Sequence, residues 1–145
     1  LGEDKLAHSQ HSQANSFSSV YLENQSDAGS IQFKIHQLPR LAQLFPVMAI
    51  QTKDFDNDGN LDMILAGSIE NTEVETPAYD AGKGLFLKGK GDGTFDAWFP
   101  YQSGIMFSRN VRDLAFVEMT AQKIPVIITA NNNDKLQFTM WRGLQ

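Results

Sequence analysis

From Phe17 onward, short apolar, β-rich runs alternate with polar clusters of Gly, Asn and Asp, the pattern of an all-β fold. No stretch carries an apolar i, i+3, i+4, i+7 stripe over three helical turns. The pattern predicts strands at Ser19–Leu22, Ile31–Ile35, Val47–Lys53, Leu61–Ala66, Leu85–Lys88, Phe95–Phe99, Val111–Met119, Pro125–Ala130 and Leu136–Trp141. Turn chemistry separates them, as in Asp92-Gly93 and Asn131-Asn132-Asn133-Asp134. The run Leu38–Pro46 looks helical, but Pro39 and Pro46 bracket it, so it reads as a connecting segment. Residues 1–16 form a polar N-terminal arm with few apolar anchors. The fold class expected is all-β.

The runs also repeat. Val47-Met48-Ala49-Ile50 aligns with Val111-Arg112-Asp113-Leu114 at an offset of 64, and Leu61–Ala66 with Ile124–Thr129 at 63, which implies a loop shorter by one residue in the second unit. Val20-Tyr21-Leu22 with Asp27, Ile31 and Phe33 matches Leu85-Phe86-Leu87 with Asp92-Gly93, Phe95 and Ala97, and Leu136-Gln137-Phe138 starts a third hairpin. A meander of four antiparallel strands at a fixed period describes a blade of a β-propeller. Residues 17–145 then form a partial propeller of about two to two and a half blades: 17–46 the outer part of one, 47–104 a complete blade, 105–145 a further one. A single sandwich or barrel with chance similarity among its strands is the plainer alternative. A ring needs roughly 4–8 blades. The others would come from the remainder of a longer chain or from other copies of this one.

Composition narrows the partners. At 145 residues, 41% hydrophobic and 20% charged, the chain is an ordinary globular sequence. A net charge of −5 argues against nucleic acid, which is bound by basic faces. No apolar run is long enough for a membrane-spanning helix. The absence of cysteine excludes disulfides, thiolate zinc and a cysteine nucleophile. The chain starts at Leu1, which fits removal of a signal or a piece of a longer protein.

One motif carries chemistry: Asp54-Phe55-Asp56-Asn57-Asp58-Gly59-Asn60-Leu61-Asp62. Carboxylates fall at positions 1, 3, 5 and 9, with Gly at 6. If the loop wraps around a point, alternate side chains turn inward, Gly59 permits the bend, and the backbone carbonyl of Asn60 adds an oxygen. An all-oxygen, strongly negative cage suits Ca²⁺, while Mg²⁺ tolerates dense protein cages poorly. The plainer alternative is a solvated acidic turn. An EF-hand is excluded, because its twelfth position is a bidentate Glu and here is Leu65.

The acidic loop, the apolar strand after it and then Leu85-Phe86-Leu87-Lys88-Gly89-Lys90-Gly91-Asp92-Gly93-Thr94-Phe95 resemble the FG-GAP or VCBS repeat of integrin-α-type propellers and of many secreted bacterial propellers. Both hallmarks, the Asp-x-Asp-x-Asp-Gly-x-x-Asp loop and the Gly-Asp-Gly-Thr-Phe turn, stand in that order. The resemblance covers one blade strongly and its neighbours weakly. It implies that Asp54, Asp56, Asp58 and Asp62 donate side-chain oxygens to calcium and Asn60 its carbonyl. The next unit has Glu118, Thr120, Gln122 and Pro125 at those places, so no cation is expected there. Lys90-Gly91-Asp92-Gly93 reads as a hairpin turn rather than a second site.

No catalytic constellation stands out. His8 and His11 lack a third ligand, His36 reads as an exposed residue, and no Gly-x-Ser-x-Gly or Gly-x-x-x-x-Gly-Lys motif occurs. Tyr79–Gly84 reads as part of a long loop, Arg112-Asp113 as a blade-to-blade ion pair, and Trp98, Phe99, Tyr101, Phe107 and Trp141 as packing. The expectation is a calcium-binding, non-catalytic propeller segment, extracellular, cell-surface or periplasmic, that binds a protein or glycan. The alternatives are a calcium sensor that changes shape, or part of a secreted polysaccharide hydrolase or lyase. An enzyme would need acids beyond the metal ligands, and Glu70, Glu73, Glu75 and Asp80 are the one cluster available.

Overall fold

The computed structural model describes residues 8–119 and 124–143. It is mostly β, built of antiparallel sheets, in the order β1 (Val20–Asn24), β2 (Phe33–Gln37), a 3-10 turn (Arg40–Gln43), β3 (Ala49–Lys53), β4 (Asp62–Ile69), β5 (Tyr79–Gly89), β6 (Phe95–Trp98), a single helical turn α1 (Pro100–Ser103), β7 (Val111–Met119), β8 (Ile124–Asn131) and β9 (Gln137–Met140). Each predicted run overlaps a strand, with ends shifted by one to a few residues in most. The first sheet is the hairpin β1-β2, the second the four-stranded meander β3-β4-β5-β6, and the third the three-stranded β7-β8-β9.

The three sheets stack by their faces. In the second sheet Ile64, Ala66 and Phe86 share one side and pack with Leu114, Ile127 and Trp141 of the third. On its other side Leu65, Leu85 and Leu87 pack with Leu38, Ala42 and Phe45, and Tyr21 of the first sheet adds to that cluster. A sheet covered on both sides needs apolar residues at consecutive positions, and Ile64-Leu65-Ala66 and Leu85-Phe86-Leu87 supply them. The second and third sheets are also joined by Lys53, whose ammonium pairs with Glu118 at 2.6 Å and lies 4.6 Å from the centre of the Phe116 ring.

Several expectations change. β5 begins at Tyr79, not Leu85, because Gly82 pairs with Gly67 and Tyr79 with Ile69 across register shifts in β4. Tyr79–Gly84 is therefore strand, and the hairpin loop is shorter than the sequence suggested. Ile50 pairs with Leu65 and Leu114 with Thr129, 64 residues further on in both strands, so the second offset is 64 and no loop residue has been lost. The connecting segment Leu38–Pro46 is more than a link, since Leu38, Ala42 and Phe45 are core residues. Phe99 leaves β6 and caps α1, where its carbonyl accepts the Ser103 amide at 3.0 Å. Arg112 reaches the second sheet by its charge, which helps to hold the Glu70 carboxyl after β4 below its ordinary range, whereas Arg109 pairs with Asp134 inside the third unit. His36 is half-buried rather than exposed, 2.8 Å from a Glu23 carboxylate oxygen and 5.6 Å from the Tyr21 ring. Part of the N-terminal arm lies outside the described residues, and residues 8–16 hold neither helix nor strand.

Candidate metal centre

The acidic loop is the β3–β4 connection, and its alternation splits it into two sides. Phe55 turns inward and meets the rings of Phe86, Phe116 and Trp141 at 6.0, 5.2 and 5.2 Å between centroids, all edge to face. Asp54, Asp56 and Asp58 turn the other way. One carboxylate oxygen from each lies within 4.8 Å of the others. The tight wrap depends on two residues with positive φ, Asn57 at 60° and Gly59 at 90°. The loop's own amides then cap the acids. Asp54 accepts the Asp58 and Gly59 amides at 3.1 and 2.9 Å, and Asp58 accepts the Asn60 amide at 2.8 Å.

A fourth charge joins them from the neighbouring hairpin. The Lys88 ammonium, on β5, pairs with Asp56 and sits 3.1 Å from Asp58 Oδ2. Asp56 first, then Asp58, holds the Lys88 proton well above the ordinary lysine range. The Asn60 amide first, then Lys88, holds the Asp58 carboxyl below the usual carboxylate range. Sequence reasoning missed Lys88. Its signal was the parity of Leu85-Phe86-Leu87-Lys88, which puts Lys88 on the Phe86 side of β5, but only the β4–β5 pairing brings that side to the loop.

Asp62 is placed differently from the other three acids. It is fully buried and stands outside their group. Its two oxygens accept the Phe55 amide at 3.0 Å and the Gly89 amide at 2.9 Å. Burial pushes the carboxyl up, and the charges of Asp56 and Asp58 push the same way, while the two amides oppose both. Asp62 thus ties the start of the loop to the end of β5. Gly89 lets the strands approach, because a Cβ there would lie 2.1 Å from the Leu61 carbonyl oxygen. Asn60 belongs to the loop through its amide on Asp58 and through its side chain against Gly91.

The donor set fits a hard divalent cation. Three carboxylates converge with no nitrogen or sulfur donor among them, and a cationic group, Lys88, already sits against two of them. Asp54, Asp56 and Asp58 are the residues that would hold the ion.

Other sequence candidates are tied up elsewhere. Asp92 accepts the Thr94 hydroxyl and amide at 2.5 and 2.9 Å, and Lys90 pairs with Asp96 at 2.6 Å, the geometry of a hairpin turn. Glu70 pairs with Lys83 at 2.7 Å, and the cleft beside it is lined by Asn71, Arg109, Asn110 and Asn132, without Glu73, Glu75 or Asp80. Glu118 is bound to Lys53, Pro125 lies in β8, and Thr120 and Gln122 fall outside the described residues. Trp141 is buried and donates its indole N–H to the Ser103 carbonyl at 2.8 Å, whereas Tyr101 is exposed and stacks on Phe99 at 5.6 Å. Comparison with protein-family models, with curated proteins and with solved structures gives no match.

Proposed function

We propose that this chain is a calcium-stabilised, non-catalytic segment of an FG-GAP/VCBS-type β-propeller that works outside the cell, where it contributes to a surface for a protein or glycan. The observation that carries this reading is the convergence of Asp54, Asp56 and Asp58 on one point, in a loop whose sequence also has the repeat's spacing. The consecutive order β3-β4-β5-β6 and the face-to-face stacking of neighbouring sheets are what blades of such a fold require. Calcium would clamp the β3–β4 connection and cancel the repulsion among its acids. Extracellular sites of this type bind at about 10⁻⁴–10⁻³ M, a range suited to a permanently bound structural ion outside a cell. The remaining blades would come from a longer parent chain or from other copies.

The test is calorimetric titration of the full chain with calcium, paired with thermal unfolding in about 10 mM calcium and in chelator. At roughly 100 times the dissociation constant, binding adds about 2.7 kcal/mol of stability. Asp54→Ala and Asp58→Ala each remove the calcium-dependent part. A wild-type protein with no binding heat and one unfolding midpoint in both buffers rules the reading out.

A further inference from the structure

A polar cleft opens at the end of the sheets opposite the acidic loop. Three connections meet there: β4–β5, which starts at Glu70, β6–β7, which carries residues 108–110, and β8–β9, which carries residues 132–134. Its walls belong to the second and third sheets, away from both ends of the chain. Hydrogen bonds that cross between the connections fix the floor. Ser68, fully buried at the end of β4, shares its hydroxyl between Asn110 Oδ1 at 3.2 Å and Glu70 Oε1 at 3.3 Å. The Asn110 carbonyl in turn accepts the Asn132 amide at 2.8 Å. The space enclosed is about 460 Å³.

Every side chain that lines the cleft is polar. Asn110 is only 8% exposed, and with its Oδ1 held by Ser68 its NH₂ group is left without a partner among the described residues. The carboxamides of Asn71, Asn132 and Asn133 and the Ser108 hydroxyl likewise make no hydrogen bond among them. The charged groups, by contrast, are matched. Glu70 pairs with Lys83 at 2.7 Å and feels the charge of Arg112, and Arg109 pairs with Asp134. The cleft thus offers many uncommitted neutral donors and acceptors and no uncompensated charge. An anion or a cation finds no unpaired partner there. A peptide, whose side chains are anchored mainly by apolar and aromatic walls, finds none of those. A ligand dense in hydroxyls fits, because each hydroxyl both donates and accepts and each carboxamide presents one acceptor and two donors.

We propose that this cleft binds a neutral sugar unit of a glycan. Asn71 on the wall of the second sheet and Asn132 on that of the third bracket its hydroxyls from opposite sides, and the Asn110 NH₂ donates from the floor. The volume lies within the roughly 300–1,000 Å³ of small-molecule sites. No aromatic ring is present to stack on the sugar, so the dissociation constant is on the order of 1 mM. The inference rests on the surface-binding part of the function proposed above, which it commits to a glycan and to a place, and it does not need a bound ion.

Amide NMR of the ¹⁵N-labelled full chain tests it, with glucose, galactose, mannose, N-acetylglucosamine and N-acetylgalactosamine each added to about 50 mM, well above a millimolar dissociation constant. At least one of them shifts the amides of residues 71, 108–110 and 132–134 in a saturable way. Asn71→Ala and Asn132→Ala remove side chains that bond nothing in the folded chain, so both keep its circular dichroism, and each weakens binding about three- to tenfold. No shift with any of these sugars, the result expected of a protein-docking surface, overturns the proposal. So do saturable shifts centred elsewhere, variants that bind as the wild type does, or tighter binding of glucuronic acid than of every neutral sugar. Calorimetric titration of the same sample with calcium separates the two readings. Calcium heat without a sugar shift overturns this proposal alone, and sugar shifts without calcium heat overturn the calcium reading alone.

Discussion

The charge on Asp62 is a structural clamp, and its removal is the sharpest test of how the loop is held. Both of its oxygens accept buried backbone amides, from Phe55 and from Gly89, and no part of the residue reaches solvent. Asp62→Ala leaves two buried N–H groups without a partner, at about 1–3 kcal/mol each. One effect works the other way: burial raises the Asp62 pKa, so removing the carboxylate also relieves a desolvation penalty. The net loss is then about 2–4 kcal/mol, or roughly 6–12 °C in the unfolding midpoint at about 3 °C per kcal/mol for a chain of this size. Asp62→Asn does not rescue it, because the amide keeps one acceptor but turns its own NH₂ toward the second donor. Urea and thermal unfolding in chelator measure the effect with no cation at the loop. A loss below about 1 kcal/mol for Asp62→Ala would refute the clamp, since that is less than one orphaned donor costs.

Lys88 and Asp92 give two further expectations. Lys88→Met removes the ammonium that neutralises Asp56 and Asp58, so the unfolding midpoint in chelator falls, while calcium, relieved of a competitor, binds a few-fold more tightly by calorimetry. Weaker calcium binding in that variant would contradict the competition. Asp92 is held below its ordinary pKa of 3.8, first by the Thr94 hydroxyl and then by the Thr94 amide. A depressed carboxylate adds stability that is fully present above its unfolded pKa and is lost as pH falls through the folded value. The midpoint advantage of wild type over Asp92→Asn is therefore constant from about pH 7 to 5 and closes below about pH 4. An advantage that widened on acidification would have the wrong sign.

The strands were legible because short β-rich runs between clusters of Gly, Asn and Asp are a local signal. Every strand among the described residues overlaps such a run, and the turn at Asp92-Gly93 was fixed by its own side-chain chemistry. What the chain alone hid is non-local. Tyr79–Gly84 reads as loop because glycines and a proline-containing stretch surround it, yet Gly67 and Gly82 face each other across a bulge in a β-ladder. The acids at 54, 56 and 58 were found by spacing, but that same spacing gave no hint that Asp62 spends its oxygens on the Phe55 and Gly89 amides. Lys88 was invisible for the related reason that strand pairing, not sequence distance, brings it to the loop.

The position of Phe55 links the loop chemistry to the sheet stack. Its amide is fixed by Asp62, its neighbours Asp54 and Asp56 face the candidate cation position, and its ring meets Trp141 and Phe116 beyond the third sheet's inner face. Alternation leaves no slack between these roles, because turning Asp54 and Asp56 by one position would bring a carboxylate into the aromatic cluster and Phe55 into water. A change in how the acids are neutralised therefore acts on a residue that packs the second sheet against the third. A cation at this loop would strengthen the joint between two sheets as well as the turn that binds it, and its loss would be felt first at Phe116 and Trp141, where the third sheet rests on Phe55.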